Sequence, residues 1–319
     1  MFLTRFTSLV SMGLLLGLVG CSGSAVDTNA QRPAKEETAI ATEPATNPIV
    51  LGDISNNPTR SLDEFQPLAD YLAAQLAESG IDGAKVKVAP DAATMSQWMA
   101  NGEVDVFFDS AYPALRLAEE ADAQLILRRW KEGDAEYHSI IFTMADSGVE
   151  SLQDLPGHLV ALDAPYSTSG YMLPVYHFLE ENLKITEKNS LKSPVAADEV
   201  GYIFSYDDEN VLEWVLNGDA TVGVVDNQTF AELPESVRAN MRILFETDPV
   251  PRHIALVASD LDPAVVNTIT QRLLTLDQAE EGKAILEIFD ETAKFDPFPS
   301  DDYLNQLQKM YIRVRAVSE

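Results

Sequence analysis

The sequence predicts an α/β protein built from two similar lobes with a ligand cleft between them. Its 319 residues exceed the length of one typical compact domain, and 46% of them are hydrophobic, which is ample for a large core. Residues 86–110 also resemble residues 202–226 without a gap, and each stretch has the pattern of a strand, a helix and a second strand. A repeat of this kind indicates two lobes of similar construction.

The repeat is strongest around a helix end that occurs in both copies. Trp98 matches Trp214, and Asn101-Gly102 matches Asn217-Gly218. An Asn-Gly pair after a helical stretch predicts that the helix stops there and that a strand follows. The alternative is that this unit is common in proteins and that the shared tryptophan is a coincidence.

The repeat also predicts where a ligand binds. In open α/β sheets, ligands lie outside the carboxyl ends of the strands. Residues 108–112 and 225–227 follow the second strand of the first and second copies. We therefore expect these two segments to face each other across a cleft.

The N-terminal residues have the pattern of an exported lipoprotein. Residues 1–20 contain one early arginine and then an uncharged apolar stretch, which predicts a signal peptide. They end in a string similar to a bacterial lipobox, and the next residue, Cys21, is the only cysteine of the chain. Because a lone thiol cannot form an intramolecular disulfide, Cys21 is predicted to be lipidated; an ordinary signal peptide with an incidental cysteine is the alternative. Residues 21–47 are rich in Ser, Ala, Thr, Glu and Pro, which predicts a flexible tether.

The first ordered elements follow this tether. Residues 48–53 predict a short strand, and Ser61-Leu-Asp-Glu64 has the pattern of a capping box that opens a helix. The helix is expected to end near Gly80. Pro67 lies inside the helical pattern, which predicts an irregular first turn.

Two β-rich runs, 137–143 and 253–257, are predicted to carry the chain between the lobes. On this division lobe one consists of residues 48–140 and 254–319, and lobe two consists of residues 141–253.

Composition excludes several classes of function. Asp and Glu number 51 against 22 Lys and Arg, so the formal charge is -29, and nucleic acid is not an expected partner. The four histidines have no metal-binding spacing, which predicts no metal site. No nucleophile-elbow or dinucleotide-binding motif is present, so neither an enzyme nor a bound cofactor is expected.

Three successive hydroxyl residues, Ser167, Thr168 and Ser169, lie where a strand leads into a helix. The first turn of a helix has unpaired N–H groups and the positive end of the helix dipole, and both favour an anion. Hydroxyl donors would add hydrogen bonds to a tetrahedral oxyanion, and Gly170 would let the backbone approach it closely. The alternative is that one of the three residues caps the helix and that the others are ordinary loop positions.

The string Asp163-Ala-Pro-Tyr-Ser-Thr-Ser-Gly-Tyr-Met-Leu-Pro174 resembles the signature of the phosphonate-, phosphite- and phosphate-binding proteins of bacterial ABC importers. Segments 65–72, 101–108, 136–157 and 249–263 resemble further segments of that family in the same order. The resemblance implies the two-lobed type II periplasmic-binding-protein fold, with two crossing hinge strands and a central ligand cleft.

The resemblance also implies which residues bind the ligand. Ser167, Thr168 and Ser169 would bind the oxyanion. Further implied contacts come from the cleft walls and the hinge: Asp109, Ser110, Tyr112, Tyr137, Tyr206 and Asp226.

The chain departs from the family pattern at some of these positions. Tyr206 stands where many members have histidine, and Asp109 stands where many have glycine. An ionised Asp109 would repel an oxyanion unless it meets a cationic group of the ligand or pairs with Arg252. An aminoalkyl phosphonate would satisfy both ends of the site, with Asp109 and Asp226 on its ammonium group; a ligand unrelated to phosphorus is the alternative.

Together these features predict a monomeric, non-enzymatic receptor, anchored through Cys21 on the extracytoplasmic face of a bacterial membrane. It would capture a small oxyanion by closure of the lobes and deliver it to an ABC permease. The alternative role is that of a sensory lipoprotein that reports its ligand to a signalling partner.

Overall fold

A computed structural model describes residues 47–318. The predicted signal peptide, Cys21 and all but the last residue of the predicted tether lie outside this range. The strands are β1 (Pro48–Ile54), β2 (Gly83–Ala89), β3 (Val106–Asp109), β4 (Gln124–Arg129), β5 (Glu136–Tyr137), β6 (Ser139–Met144), β7 (Leu159–Leu162), β8 (Ile185–Glu187), β9 (Val200–Phe204), β10 (Val222–Asp226), β11 (Met241–Glu246), β12 (Val250–Pro251), β13 (His253–Val257) and β14 (Phe295–Asp296).

The helices surround these strands. They are α1 (Pro58–Gln75), α2 (Ala92–Ala100), α3 (Ala111–Glu120), α4 (Leu173–Glu180), α5 (Asp208–Leu216), α6 (Asn227–Glu232), α7 (Glu235–Arg238), α8 (Pro263–Thr275), α9 (Glu280–Ile288) and α10 (Asp301–Ser318). A π-helical turn, Thr168–Met172, precedes α4. In the described part of the chain, none of the helices combines the length and apolar character needed to cross a bilayer.

The strands form two six-stranded sheets that share a five-strand order, β4-β13-β3-β1-β2 in the first sheet and β11-β6-β10-β7-β9 in the second. The first sheet has the order β14-β4-β13-β3-β1-β2, and the second has β11-β6-β10-β7-β9-β8. In the first, β1 is parallel to β2 and β3, and β13 runs antiparallel to β3 and β4. In the second, β7 is parallel to β9 and β10, and β6 runs antiparallel to β10 and β11. The sheets therefore repeat one topology, as the sequence repeat indicates.

The two copies of the repeat agree in local geometry. Asp91 caps α2 by accepting a hydrogen bond from Thr94 N, and Asp207 caps α5 by accepting one from Glu209 N. The helices end alike, because Gly102 and Gly218 have φ angles of +68° and +74°. A left-handed residue after the helix favours glycine, which explains the shared Asn-Gly pair.

The chain crosses between the lobes through a short two-stranded ribbon. β5 pairs antiparallel with β12, and Val250 lies opposite Tyr137. Ser139 already belongs to the second sheet and His253 to the first. Most residues of the two runs predicted to cross between the lobes therefore belong to strands of the two sheets, and the crossing segments themselves are short.

The predicted start of α1 is wrong. The helix begins at Pro58, and the Asn57 side chain accepts a hydrogen bond from Arg60 N at 3.4 Å. Proline fits the first helical position because its missing N–H would be unpaired there in any case. Ser61 is therefore inside the helix and buried, and the helix continues through Pro67.

Apolar packing joins the two lobes at the closed end of the cleft. The Tyr112 ring on α3 lies 6.1 Å from the Tyr171 ring of lobe two and 5.7 Å from the Tyr311 ring on α10, measured between centroids. Helix α10 contacts both α3 and α4, which belong to different lobes. The C-terminal helix therefore does not pack on lobe one alone.

Candidate ligand cleft

A cavity of about 690 Å³ lies between the lobes, at the carboxyl ends of the parallel strands. Lobe one lines it with residues that end or follow β1, β2 and β3, and lobe two lines it with residues that end or follow β7 and β10. The hinge contributes Tyr137, Arg252 and His253. This is the cleft that the repeat predicts.

Most of the residues proposed from sequence line this cavity. They are Asp109, Ser110, Tyr137, Ser167, Thr168, Ser169 and Asp226. Tyr112 does not line it, because its ring is buried against Tyr171 and Tyr311. Tyr206 also lies outside the lining and is 65% exposed, with a φ angle of +60°.

Ser167 acts as the cap of the π-helical turn. Its Oγ accepts a hydrogen bond from Gly170 N at 2.9 Å. A Cβ at position 170 would lie 2.4 Å from Asp163 Cβ, so only glycine fits there. The role of Ser167 as a cap uses only an acceptor lone pair, so its hydroxyl proton is left to hydrogen-bond with the Asp163 carboxyl.

Thr168 connects the lobes. Its Oγ1 accepts a hydrogen bond from Tyr112 N at 2.8 Å and donates one to Ser110 Oγ at 3.0 Å. The residue is 1% exposed. The Thr168 hydroxyl proton is therefore already committed to lobe one in this arrangement.

Hydroxyl groups of both lobes and the hinge meet beside Thr168. Ser169 is held through its carbonyl, which accepts a hydrogen bond from Ser139 Oγ at 2.6 Å. Burial raises the pKa of Tyr137, while the charge of Arg252 and hydrogen bonding with Thr168 and Ser169 oppose that rise. The Tyr137 hydroxyl thus keeps its proton near neutral pH and can donate a hydrogen bond.

Carboxyl groups crowd the wall of lobe two. Burial, together with the negative charges of Asp163 and Asp226, raises the pKa of Asp208 to about 7. Burial also raises the pKa of Asp163, with hydrogen bonding from Ser167 opposing and nearby aspartates adding to the rise. Asp226 is held as the cap of α6, because its carboxylate accepts hydrogen bonds from Gln228 N and Thr229 N at 2.8 and 3.0 Å. A cationic group placed here would relieve the mutual repulsion.

On the opposite wall, burial raises the pKa of Asp109 to about 6. Ser110 N donates a hydrogen bond to its carboxylate at 2.6 Å, which opposes the rise, and the charge of Asp53 adds to it. The hypothesised pairing of Asp109 with Arg252 is not found. Arg252 donates a hydrogen bond to Glu132 at 2.7 Å instead.

Several charged or polar residues of the lining were not identified from the sequence. They are Asp163, Asp208 and His253, and also Ser55, Asn56, Asp91 and Tyr166. The repeat held a signal for one of them. Asp208 occupies the position in the second copy that Ala92 occupies in the first, and both residues line the cavity. Asp163 and His253 gain their neighbours only through folding.

The comparisons with known proteins agree with this architecture. Residues 54–303 match the family model described as the periplasmic substrate-binding protein of the phosphonate ABC transporter. The chain belongs to this family.

Several solved structures are also similar to this member of the phosphonate-binding family. XAC2383 from Xanthomonas citri, bound to ATP, is 29% identical with a TM-score of 0.78, over 86% of this chain and 98% of that one. PhnD1 from Prochlorococcus marinus, in complex with methylphosphonate, is 16% identical with a TM-score of 0.58, over 83% and 98%. A binding protein component of an ABC phosphonate transporter from Pseudomonas aeruginosa is 19% identical with a TM-score of 0.57, over 86% and 89%. These likenesses show the two-lobed fold of type II periplasmic binding proteins.

Proposed function

We propose that this periplasmic substrate-binding protein captures a small ligand with a tetrahedral oxyanion, such as a phosphonate, phosphite or phosphate. The observation that supports this most directly is the meeting of hydroxyls from Ser110, Tyr137 and Ser169 around the buried Thr168. Neutral donors held by the fold can bind an anion together with Arg252, which also lines the cavity, because hydrogen bonds to charged groups are worth about 1.5–3 kcal/mol each. Closure of the lobes would complete the binding site.

The ligand also carries a cationic group in this proposal. The negative charges of Asp163 and Asp226 disfavour the ionised form of Asp208, so a bound ammonium group would gain from these carboxyl groups. An aminoalkyl phosphonate has both the required oxyanion and the required cation. Asp109 remains a proposed contact of the ammonium group, and Tyr206 remains a proposed contact of the ligand.

Binding can be tested by thermal shift and calorimetry on the purified protein. The probes are methylphosphonate, 2-aminoethylphosphonate, phosphite, phosphate and sulfate. A ligand that binds only the folded state at 100 times its Kd adds about 2.7 kcal/mol of stability, which is a clear shift in Tm. The absence of a shift with every phosphorus oxyanion would refute the proposed ligand class.

Two variants separate the oxyanion end from the cationic end. Ser169→Ala is expected to weaken all phosphorus probes to a similar degree. Asp208→Asn is expected to weaken 2-aminoethylphosphonate much more than methylphosphonate. Ser147→Ala, in a turn outside the cleft lining, is the control. Equal affinity of the wild-type protein for phosphite and for 2-aminoethylphosphonate would show that the carboxylates do not select an amine.

A nucleotide is the second candidate ligand. XAC2383, which is 29% identical, is bound to ATP, whose phosphates present the same oxyanion chemistry. Tyr166 lines the cavity with 57% of its surface exposed, and Tyr206 on the same lobe is 65% exposed, so aromatic faces are available for a base. Calorimetry with ATP and with tripolyphosphate tests this candidate. Tyr166→Ala should weaken the binding of ATP, which has a base, and leave the binding of tripolyphosphate, which has none, unchanged.

The proposal includes a lipid anchor and delivery to a membrane permease. A Cys21→Ser variant should move from the membrane fraction to the soluble fraction of cells, whereas an unchanged distribution would contradict the anchor. Delivery to a permease and sensing are distinguished by measuring uptake of the phosphonate in cells that lack the protein. Loss of uptake supports delivery to a permease, and unchanged uptake favours the sensory alternative.

A further inference from the structure

His253 lies at the point where the second crossing segment enters the first sheet. It is the first residue of β13 and pairs in register with Arg129 on β4. Its Nδ1 lies 3.4 Å from Arg129 Nη1, and the side chain lines the cleft. One ring nitrogen therefore contacts a buried cation, and the same ring faces the ligand cavity.

Arg129 is fixed in place. It is 1% exposed, its Nε donates to Thr292 Oγ1 at 2.9 Å, and its Nη2 donates to the Phe289 carbonyl at 2.9 Å and to Asp290 Oδ2 at 3.2 Å. The guanidinium carbon lies 3.7 Å from the centroid of the Phe289 ring. These contacts leave Nη1 directed at His253.

The chemistry of Arg129 decides the protonation of the imidazole. A guanidinium group has five N–H donors and no acceptor, and it stays protonated in proteins. Nδ1 of His253 must therefore accept, so it carries a lone pair, and the ring proton resides on Nε2. If the ring were doubly protonated, its Nδ1–H would point at an N–H of Arg129, and its positive charge would repel the guanidinium group. Burial and the charges of Arg129, Lys131 and Arg252 all lower the pKa of His253 well below its usual range.

We infer that His253 is a ligand-binding residue that presents a fixed, neutral Nε2–H donor to an oxygen of the bound oxyanion. No described residue forms a hydrogen bond with Nε2, which leaves its proton for the ligand. This inference rests on the proposed function, because it assumes that the oxyanion binds in this cleft. A donor that cannot become an acceptor favours a phosphoryl oxygen and rejects an ammonium group. The hinge side of the cleft thus becomes the oxyanion end.

The tautomer can be measured without any ligand. Protein with ¹⁵N-labelled histidine gives long-range ¹H–¹⁵N correlations that distinguish the two neutral tautomers and the imidazolium. The chain has four histidines, and the signals that vanish in His253→Phe belong to His253. We expect a protonated Nε2 and a bare Nδ1. A bare Nε2 or an imidazolium ring near neutral pH would overturn the assignment.

Binding variants test the role of the donor. His253→Phe keeps the ring volume and removes both nitrogens, so affinity for methylphosphonate and phosphite should fall about 10-fold to 100-fold, as expected for one hydrogen bond to a charged group. His253→Gln keeps an amide N–H near the position of Nε2 and should bind within about fivefold of wild type, which is the scale of a geometrically imperfect hydrogen bond. His158→Gln, a histidine outside the cleft lining, is the matched control and should bind as wild type does.

Calorimetry on these three variants gives outcomes that can be separated. Wild-type affinity in His253→Phe would overturn the inference, and so would a loss in His253→Gln as large as that in His253→Phe. Failure of the wild-type protein to bind any phosphorus oxyanion would refute the proposed function instead. In that case the inference that His253 binds an oxyanion falls with it, while the measured tautomer still decides whether Arg129 fixes the ring.

Discussion

Replacing Thr168 by valine removes a hydroxyl that joins the two lobes. Valine has nearly the same shape, so the substitution leaves packing in place and deletes both hydrogen bonds to lobe one, from Tyr112 N at 2.8 Å and to Ser110 Oγ at 3.0 Å. The two losses are unequal. Ser110 lines the cavity, so its hydroxyl can form a hydrogen bond with water instead. The Tyr112 N–H is covered by residue 168, which is only 1% exposed, so water does not replace the lost bond there.

The orphaned Tyr112 N–H therefore dominates the expected effect. An unpaired buried donor costs about 1–3 kcal/mol. We expect Thr168→Val to lower the free energy of unfolding by this amount, with a fall in Tm of about 2–4 °C for each kcal/mol. Thr168→Ser keeps the hydroxyl and should lose less.

Urea unfolding followed by tryptophan fluorescence measures this change in the absence of ligand. Thr268→Val is the matched control, because the Thr268 hydroxyl is exposed on α8 and bonds only within its own helix, at 2.9 Å from the Ala264 carbonyl. That control should stay within about 0.5 kcal/mol of wild type. If Thr168→Val is no less stable than Thr268→Val, the hydroxyl does not join the lobes in the way described.

Three further predictions follow from the repeat and the cleft. Asp91→Ala and Asp207→Ala each remove a helix cap, and each should lower the free energy of unfolding by about 0.5–2 kcal/mol in urea titrations. The double variant should show the sum of the two losses, because the caps lie in different lobes. Gly218→Ala should cost about 1–2 kcal/mol from its φ angle of +74° alone, and Gly102→Ala should cost more in the same assay, because its Cβ would also lie 2.8 Å from a carboxylate oxygen. Burial raises the pKa of Asp208 to about 7, so the folded chain binds this proton more tightly than the unfolded chain, and stability falls as pH rises from about 4 to 7. Asp208→Asn should therefore raise Tm relative to wild type at about pH 8 and lose that advantage near pH 4; an equal effect at both pH values would contradict the raised pKa.

The features that sequence predicted well depend on short stretches of chain. The Asn-Gly pairs stop both repeat helices because only the backbone after the helix matters there, and those pairs are confirmed at Gly102 and Gly218. The repeat also predicted two lobes of similar construction and a cleft at the carboxyl ends of their strands, since strand direction follows from the connections along the chain. The family resemblance is confirmed by the match over residues 54–303.

The predictions that needed correction involve competition between local signals. Asn57 and Pro58 start α1 one turn before the Ser61 pattern predicted, because a proline at the first position and an asparagine cap outweigh an internal serine. At the cleft, the capping interpretation of the hydroxyl string describes one residue, and the anion-binding interpretation stays a prediction for the others. Ser167 is a cap, while Ser169 lines the cavity beside the Tyr137 hydroxyl.

The fold class, the two-lobed arrangement, the position of the cleft and the candidate hydroxyl residues could all be predicted from the chain, because each depends on patterns within a few tens of residues. The use of those side chains became visible only in the folded protein. Thr168 meets Ser110, which lies 58 positions away, and His253 meets Arg129, which lies 124 positions away. A hydroxyl or an imidazole becomes a donor, an acceptor or a link between lobes according to the neighbours that folding brings to it, and those neighbours cannot be read from adjacent residues.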